Sequence, residues 1–208
     1  MSFQGFPEAA LDFYDDLEQD NSKAFWEAHK DTYRRAVADP MNQFVDALGD
    51  EFGQPKVFRP YRDVRFAKDK TPYKTHQGVF VAVGPATGYY LQIGAPGVKV
   101  AVGFYDATAE RLANLRAAID SDIHGPELEH LVDSMRSDGW EIGGSVLKTA
   151  PRGWDKDHPR IALLRHKTLT ASRDYGFEEF IHRPELVDRV RADWRSGAQL
   201  VEWALRHG

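Results

Sequence analysis

The segment between residues 77 and 105 constrains the fold of this chain most. Val79-Phe80-Val81-Ala82-Val83 is a continuous apolar run of strand length, as expected of a strand buried on both faces. Gly84-Pro85-Ala86-Thr87-Gly88 follows as a turn. Tyr89, Leu91 and Ile93 then alternate with Tyr90 and Gln92, and Pro96-Gly97 fits a type II turn. Val98, Val100, Val102 and Phe104 alternate in turn with Lys99, Ala101 and Gly103. Parallel neighbours need a crossover of a dozen or more residues, and no connection here is that long. The segment therefore predicts an antiparallel three-stranded meander.

On either side the apolar period lengthens to three and four. Pro7 suits a first helical position, and Ala10, Leu11, Tyr14 and Leu17 follow on one face. Asp20, Asn21 and Ser22 offer N-cap oxygens to a second helix carrying Trp26, His29, Tyr33, Ala36 and Val37. Asp39-Pro40 ends or kinks that helix, and Asp39 doubles as a candidate N-cap for a third with Met41, Phe44, Val45 and Leu48. Gly53 and Pro55 close it. Thr108 is the expected N-cap of a helix over 108–121 with Leu112, Leu115 and Ile119 inward. Pro126 opens another with Leu128, Leu131, Val132 and Met135, stopped at Asp138-Gly139. Short strands are expected near 140–148 and 167–173. Pro184 opens a last helix with Leu186, Val190, Trp194, Val201 and Leu205 facing the core. The pattern is α+β: an antiparallel β-meander sheet packed with N-terminal helices and a long C-terminal helix. It is expected as a single domain, with a helical part at 1–55, a mixed sheet and helix core at 56–174 and C-terminal helices at 177–207.

The chain has no cysteine, which excludes disulfides, thiolate metal sites and Cys nucleophiles. Its first twenty residues lack the basic and apolar regions of a secretory signal, and no apolar run nears the length of a membrane helix. A cytoplasmic protein without a membrane partner is expected. Nothing in the sequence bears on oligomeric state.

The net charge is −5, which argues against a nucleic-acid partner, but the charge is unevenly spread. Residues 56–76 hold seven Lys/Arg against two Asp, and residues 148–167 hold six against two, so the remainder is strongly acidic. In the first segment, alternation about Val64 and Phe66 predicts a strand with Asp63 and Arg65 on the opposite face, then a turn at Asp69-Lys70-Thr71-Pro72. Packed guanidinium and ammonium groups repel one another unless an anion or carboxylates neutralise them, and Asp63 and Asp69 are two for seven. In the second segment, Pro151 and Gly153 shape a loop around Arg152. A short helix starting at Pro159 is expected to bury Ile161 and Leu164 and to point its N–H groups at an anion. Asp157 and His158 form a candidate proton-transfer pair. The spacing of Asp155, Asp157 and His158 matches no established ligand motif, so no metal is assigned, and no cofactor is expected. There is no Walker loop, no G-x-G-x-x-G after a strand, no G-x-S-x-G and no H-E-x-x-H.

At these segments the chain resembles the bacterial and fungal proteins grouped as domain of unknown function 2461. The resemblance rests on residues 3–17 with 21–33, and on Phe58-Arg-Pro-Tyr-Arg-Asp-Val-Arg-Phe-Ala-Lys-Asp-Lys-Thr-Pro-Tyr-Lys-Thr-His76. It rests also on Gly103-Phe-Tyr with the helix bearing Arg116, and on Pro151-Arg-Gly-Trp-Asp-Lys-Asp-His-Pro159 with Leu163-Leu-Arg-His-Lys167. It implies that both basic segments serve one shared site, and it implies no known activity. The chain departs from the family pattern in having Asp20-Asn21-Ser22-Lys23-Ala24-Phe25-Trp26 for N-N-x-x-W-F. It also has Ala67 where a serine often precedes Lys-Asp-Lys. If that serine hydroxyl takes part in chemistry, this chain lacks it.

Three readings follow. In the first, the segments meet in an anion-binding pocket for a small phosphorylated or carboxylated ligand, as an enzyme or a binder. Arg59, Arg62, Arg65, Lys70, Lys74, Arg152, Arg160 and Arg165 hold charge there, Tyr73 and Trp154 pack a ring, Asp63 orients an Arg, and Asp157 or His158 moves a proton. In the second, a non-catalytic interaction module contacts an acidic protein or a nucleic-acid backbone. In the third, the basic residues pair with the chain's own acids.

Overall fold

A computed structural model describes residues 2–65 and 68–208. The meander forms as expected: β2 (His76–Gly84), β3 (Thr87–Gly94) and β4 (Gly97–Phe104). Its first turn needs only Pro85 and Ala86, with Ala86 at φ 47°. At the second turn Gly97 takes φ 103°, and a Cβ there would lie 1.7 Å from the Gly176 carbonyl oxygen, so only glycine fits. Burial in β2 is continuous over Gln77–Val81, but Ala82 and Val83 face solvent, which corrects the expectation of burial through Val83. Tyr89, Leu91 and Ile93 in β3 and Val98, Val100, Val102 and Phe104 in β4 are buried.

Three further strands complete an antiparallel sheet of order β1-β2-β3-β4-β6-β5. The sequence does not predict β1 (Pro55–Val57); it pairs antiparallel with β2, Lys56 opposite Phe80. A three-residue strand that opens on proline carries almost no alternation to read. The two short strands expected near 140–148 and 167–173 are β5 (Glu141–Gly143) and β6 (Leu169–Gly176), which pair with Ile142 opposite Ala171.

The helices are α1 (Glu8–Gln19), α2 (Lys23–Tyr33), α3 (Asp39–Leu48), α4 (Ala109–Asp120), α5 (His124–Ser137), α6 (Ile161–Leu164) and α7 (Leu186–His207). Ser22 caps α2 by accepting from the Phe25 N–H at 3.1 Å, and Thr108 caps α4. Pro40 lies in the first turn of α3, one position later than expected. A π-helical turn over Arg34–Ala38 joins α2 to α3, and Asp39 is the first residue of α3 rather than its N-cap. Wider turns accommodate the ring and the missing N–H of a proline. Pro126 lies in the first turn of α5, where its nitrogen has no intrahelical acceptor to lose. In α4 the buried face includes Arg111, whose guanidinium is held by Pro85 O, Thr87 Oγ1 and Ala204 O. Leu205, expected in the core, is more than a third exposed. No helix among the described residues is long and apolar enough to cross a membrane.

The contacts divide the chain into two compact units. One comprises residues 1–81, 90–100 and 174–192; the other comprises 82–89, 101–173 and 193–208. The first is built on Phe6, Phe13, Tyr14, Phe44, Leu91 and Ile93, and the second on Leu115, Leu128, Leu164, Trp194 and Trp203.

Candidate functional site

The first basic segment lies wholly in the unit formed by residues 1–81, 90–100 and 174–192. Its two arms, 58–62 and 72–76, run antiparallel. The Lys74 N–H donates to Pro60 O at 2.8 Å and the Arg62 N–H to Pro72 O at 2.9 Å, on either side of a single bridge between Tyr61 and Tyr73. Pro60 and Pro72 accept but cannot donate, so the pairing stops there. The strand expected around Val64 and Phe66 does not form at 62–65; Phe66 and Ala67 lie outside the described residues.

Side-chain contacts define two sides of these arms. On one, Tyr73 stacks on Trp26 with centroids 4.3 Å apart and planes 7° apart, and Tyr33 and Tyr61 close around the same indole at 4.9 and 5.9 Å. Asn21 locks this wall: its amide donates to Tyr73 O at 3.1 Å, and its carbonyl accepts from the Tyr73 N–H at 3.0 Å. Tyr33 donates to Gln77 at 2.6 Å, and Gln77 donates to Phe58 O and Gly78 O. Burial, with Tyr61 nearby, pushes the Tyr33 phenol up to about 12, so it is a fixed donor. The Tyr73 ring is only 5% exposed, committed to the stack, whereas Tyr61 is half exposed.

The other face carries charge. Arg65 makes a bidentate pair with Asp63 at 2.9 and 2.6 Å, which lowers the Asp63 carboxyl below its ordinary range. Arg62 bonds Asp69 and Thr71, while Asp69 also accepts from the Thr71 N–H and hydroxyl. Lys70 donates to Val64 O at 2.9 Å. Lys74 lies over the Phe58 ring at 5.0 Å, and its ammonium pKa is pushed down by burial and by Arg59. The partly buried His76 is pushed down by burial, Lys74 and Arg62. Among the described residues no carboxylate counters the pressure on Lys74 or His76. Arg59 is exposed and has neither a hydrogen bond nor an ion pair among them.

The second basic segment lies in the other unit, and much of it is committed to that unit's own backbone. Arg160, its side chain 10% exposed, donates to the carbonyls of Ile119, Asp120 and Ser121 at 2.6, 2.8 and 3.4 Å. It thereby caps the C-terminus of α4, where unpaired carbonyls and the negative end of the dipole favour a cation. Arg165 spans Leu147 O and Lys148 O at 2.7 and 3.0 Å. The carboxylate that His158 meets is Asp120, at 2.9 Å, not Asp157. Its other nitrogen accepts from the Arg160 N–H, so Nε2 carries the proton. Asp157 is exposed, its N–H donating to Asp155 at 2.9 Å. Trp154 is edge-on to His158 at 6.0 Å, and Arg152 is exposed beside Gly153 at φ 91°. The helix expected at Pro159 is the single turn α6, which buries Leu164 and leaves Ile161 half exposed.

The structure thus gathers Arg59, Arg62, Tyr73 and Lys74 of the sequence candidates. It adds Asn21, Trp26, Tyr33, His76 and Gln77, which no charge count selects because their roles depend on meeting residues about fifty positions away. For all but Gln77 the signal was the resemblance, which covers residues 21–33 and ends at His76. Comparison with known families agrees. A family model described as a conserved hypothetical protein, domain of unknown function 2461, matches residues 9–203, and the chain belongs to that family. No curated protein matches it.

Proposed function

We propose that the charged face formed by Arg59, Arg62, Lys74 and His76 binds a small phosphorylated or carboxylated ligand. The observation that carries this is electrostatic: Lys74 and His76 are depressed first by burial and then further by neighbouring positive charge, with no carboxylate acting on either. Asp69 pairs with Arg62 and Asp63 with Arg65, so the nearby acids leave Arg59, Lys74 and His76 without an ion pair among the described residues. An anion entering there relieves the repulsion and gains charge-assisted hydrogen bonds. The aromatic wall behind it fixes the arms and thus the spacing of the charges, which lowers the ordering cost of binding.

A thermal-shift panel of inorganic phosphate, sulfate, nucleotides and sugar phosphates tests the reading. A ligand at a hundred times its Kd should add about 2.7 kcal/mol to stability. The gain should disappear in Arg59→Ala/Lys74→Met. Stabilisation that persists unchanged in that double variant would place the anion elsewhere and end the proposal.

A further inference from the structure

Independently of the anion face, the unit formed by residues 82–89, 101–173 and 193–208 brings together three side chains with the chemistry of metal ligands. His124 opens α5, and Glu127, three residues on, shares its face. His207 is the last residue of α7. His124 Nδ1 lies 3.8 Å from Glu127 Oε2, and the two imidazole rings are 4.3 Å apart at 43°. One ligand atom from each residue lies within 4.8 Å of the other two. Ring packing and the His124–Glu127 contact account for part of this cluster. They leave unexplained His207 Nε2, which is buried without a hydrogen-bond partner among the described residues.

We propose that His124, Glu127 and His207 form a binding site for a divalent transition-metal ion of the zinc class. Two imidazoles and one carboxylate suit zinc, whereas calcium and magnesium take about six or more oxygens. Tetrahedral bonds of about 2.0–2.1 Å place donor atoms roughly 3.4 Å apart, so side-chain rotation of about an ångström closes the set. The carboxylate is already oriented: Arg206 takes Glu127 Oε1 at 3.1 Å, leaving Oε2 turned toward His124. Outer partners of this kind aim metal ligands. Three protein ligands leave a fourth position for water or another small molecule. A groove of about 370 Å³ shares Glu127 and Arg206 with the cluster and is lined also by His130, Ser134 and Glu202. No sequence motif marks the site, because His207 lies eighty residues beyond Glu127.

Isothermal titration of ZnCl2 into the full chain, previously dialysed against chelator, tests the proposal. One ion per chain is expected. Removing a ligand should cost at least the roughly 10–100-fold in affinity that losing an outer partner costs, so His124→Ala and His207→Ala should each weaken binding by about tenfold or more. His130→Ala should not. Absence of saturable binding, or equal affinity in the wild type and both histidine variants, overturns the site. Should a histidine variant fail to fold by circular dichroism, Glu127→Gln decides alone, and unchanged affinity there refutes the assignment.

Discussion

Replacing Asn21 by Ala should destabilise the protein more than any other loss of a half-exposed polar side chain near the aromatic wall. The Asn21 amide pairs with both backbone groups of Tyr73, at 3.1 and 3.0 Å, and does for that residue what a neighbouring strand would do. Alanine removes two hydrogen bonds with a net worth of about 1 kcal/mol each. It also leaves an N–H and a C=O orphaned beneath a residue only 5% exposed. Part of their desolvation cost, about 1–3 kcal/mol per group, therefore adds to the loss. The sum is about 3 kcal/mol. For a chain of this length that is roughly 6–12 °C in Tm. Urea unfolding followed by far-UV circular dichroism measures it, and near-UV circular dichroism should report loosening of the Trp26–Tyr73 stack. Asn21→Asp keeps the acceptor for the Tyr73 N–H but sets a carboxylate against the Tyr73 carbonyl, so it should lose at least half as much. If Asn21→Ala unfolds within about 0.5 kcal/mol of the wild type, the range of an ordinary surface change, the clamp is not what holds the wall.

Other consequences follow from single contacts. Arg160→Met should cost roughly 3 kcal/mol or more in chemical unfolding, because three carbonyls lose a buried cationic donor, and Arg160→Lys should recover less than half of it. Gly97→Ala should cost well over the roughly 1 kcal/mol of a positive-φ substitution in open space, as at Gly153, since its Cβ collides with the Gly176 carbonyl. His76, His166 and His207 are all held below their ordinary value, chiefly by burial. The unfolded chain therefore takes up protons first as pH falls below about 6.5, and stability contributed by these histidines should decline from there toward pH 5 while staying flat between about 7 and 8. His76→Gln should remove its share of that slope in unfolding curves measured across the range.

The elements that the sequence makes legible are those whose cause is local. The meander follows from period-two alternation between short turns, and the Ser22 and Thr108 caps follow from one hydroxyl and the N–H three residues on. What stayed hidden depends on partners far along the chain. Asp39 reads as an N-cap because the π turn before it, which carries α2 on into α3, leaves no mark in composition. Arg160 and Arg165 read as anion ligands because a count of charges cannot see that carbonyls of α4 and of residues 147–148 occupy their donors. Arg65 reads likewise, although Asp63 two residues away already matches it. Tyr73 reads as a free stacking face, and its stack on Trp26 is set by Asn21, fifty-two positions earlier. The candidate site was thus legible as a segment of sequence, while the charges left uncompensated within it were not.

The imidazole of His76 offers the most direct measurement, by NMR titration with and without inorganic phosphate. Without phosphate its pKa should lie below the ordinary value, because burial disfavours the charged ring and Lys74 and Arg62 repel its proton. Saturating phosphate should raise it, and Lys74→Met should raise the phosphate-free value while blunting the response. A His76 pKa that phosphate leaves unmoved at any concentration would contradict the account, since those positive charges would then have no anion to hold.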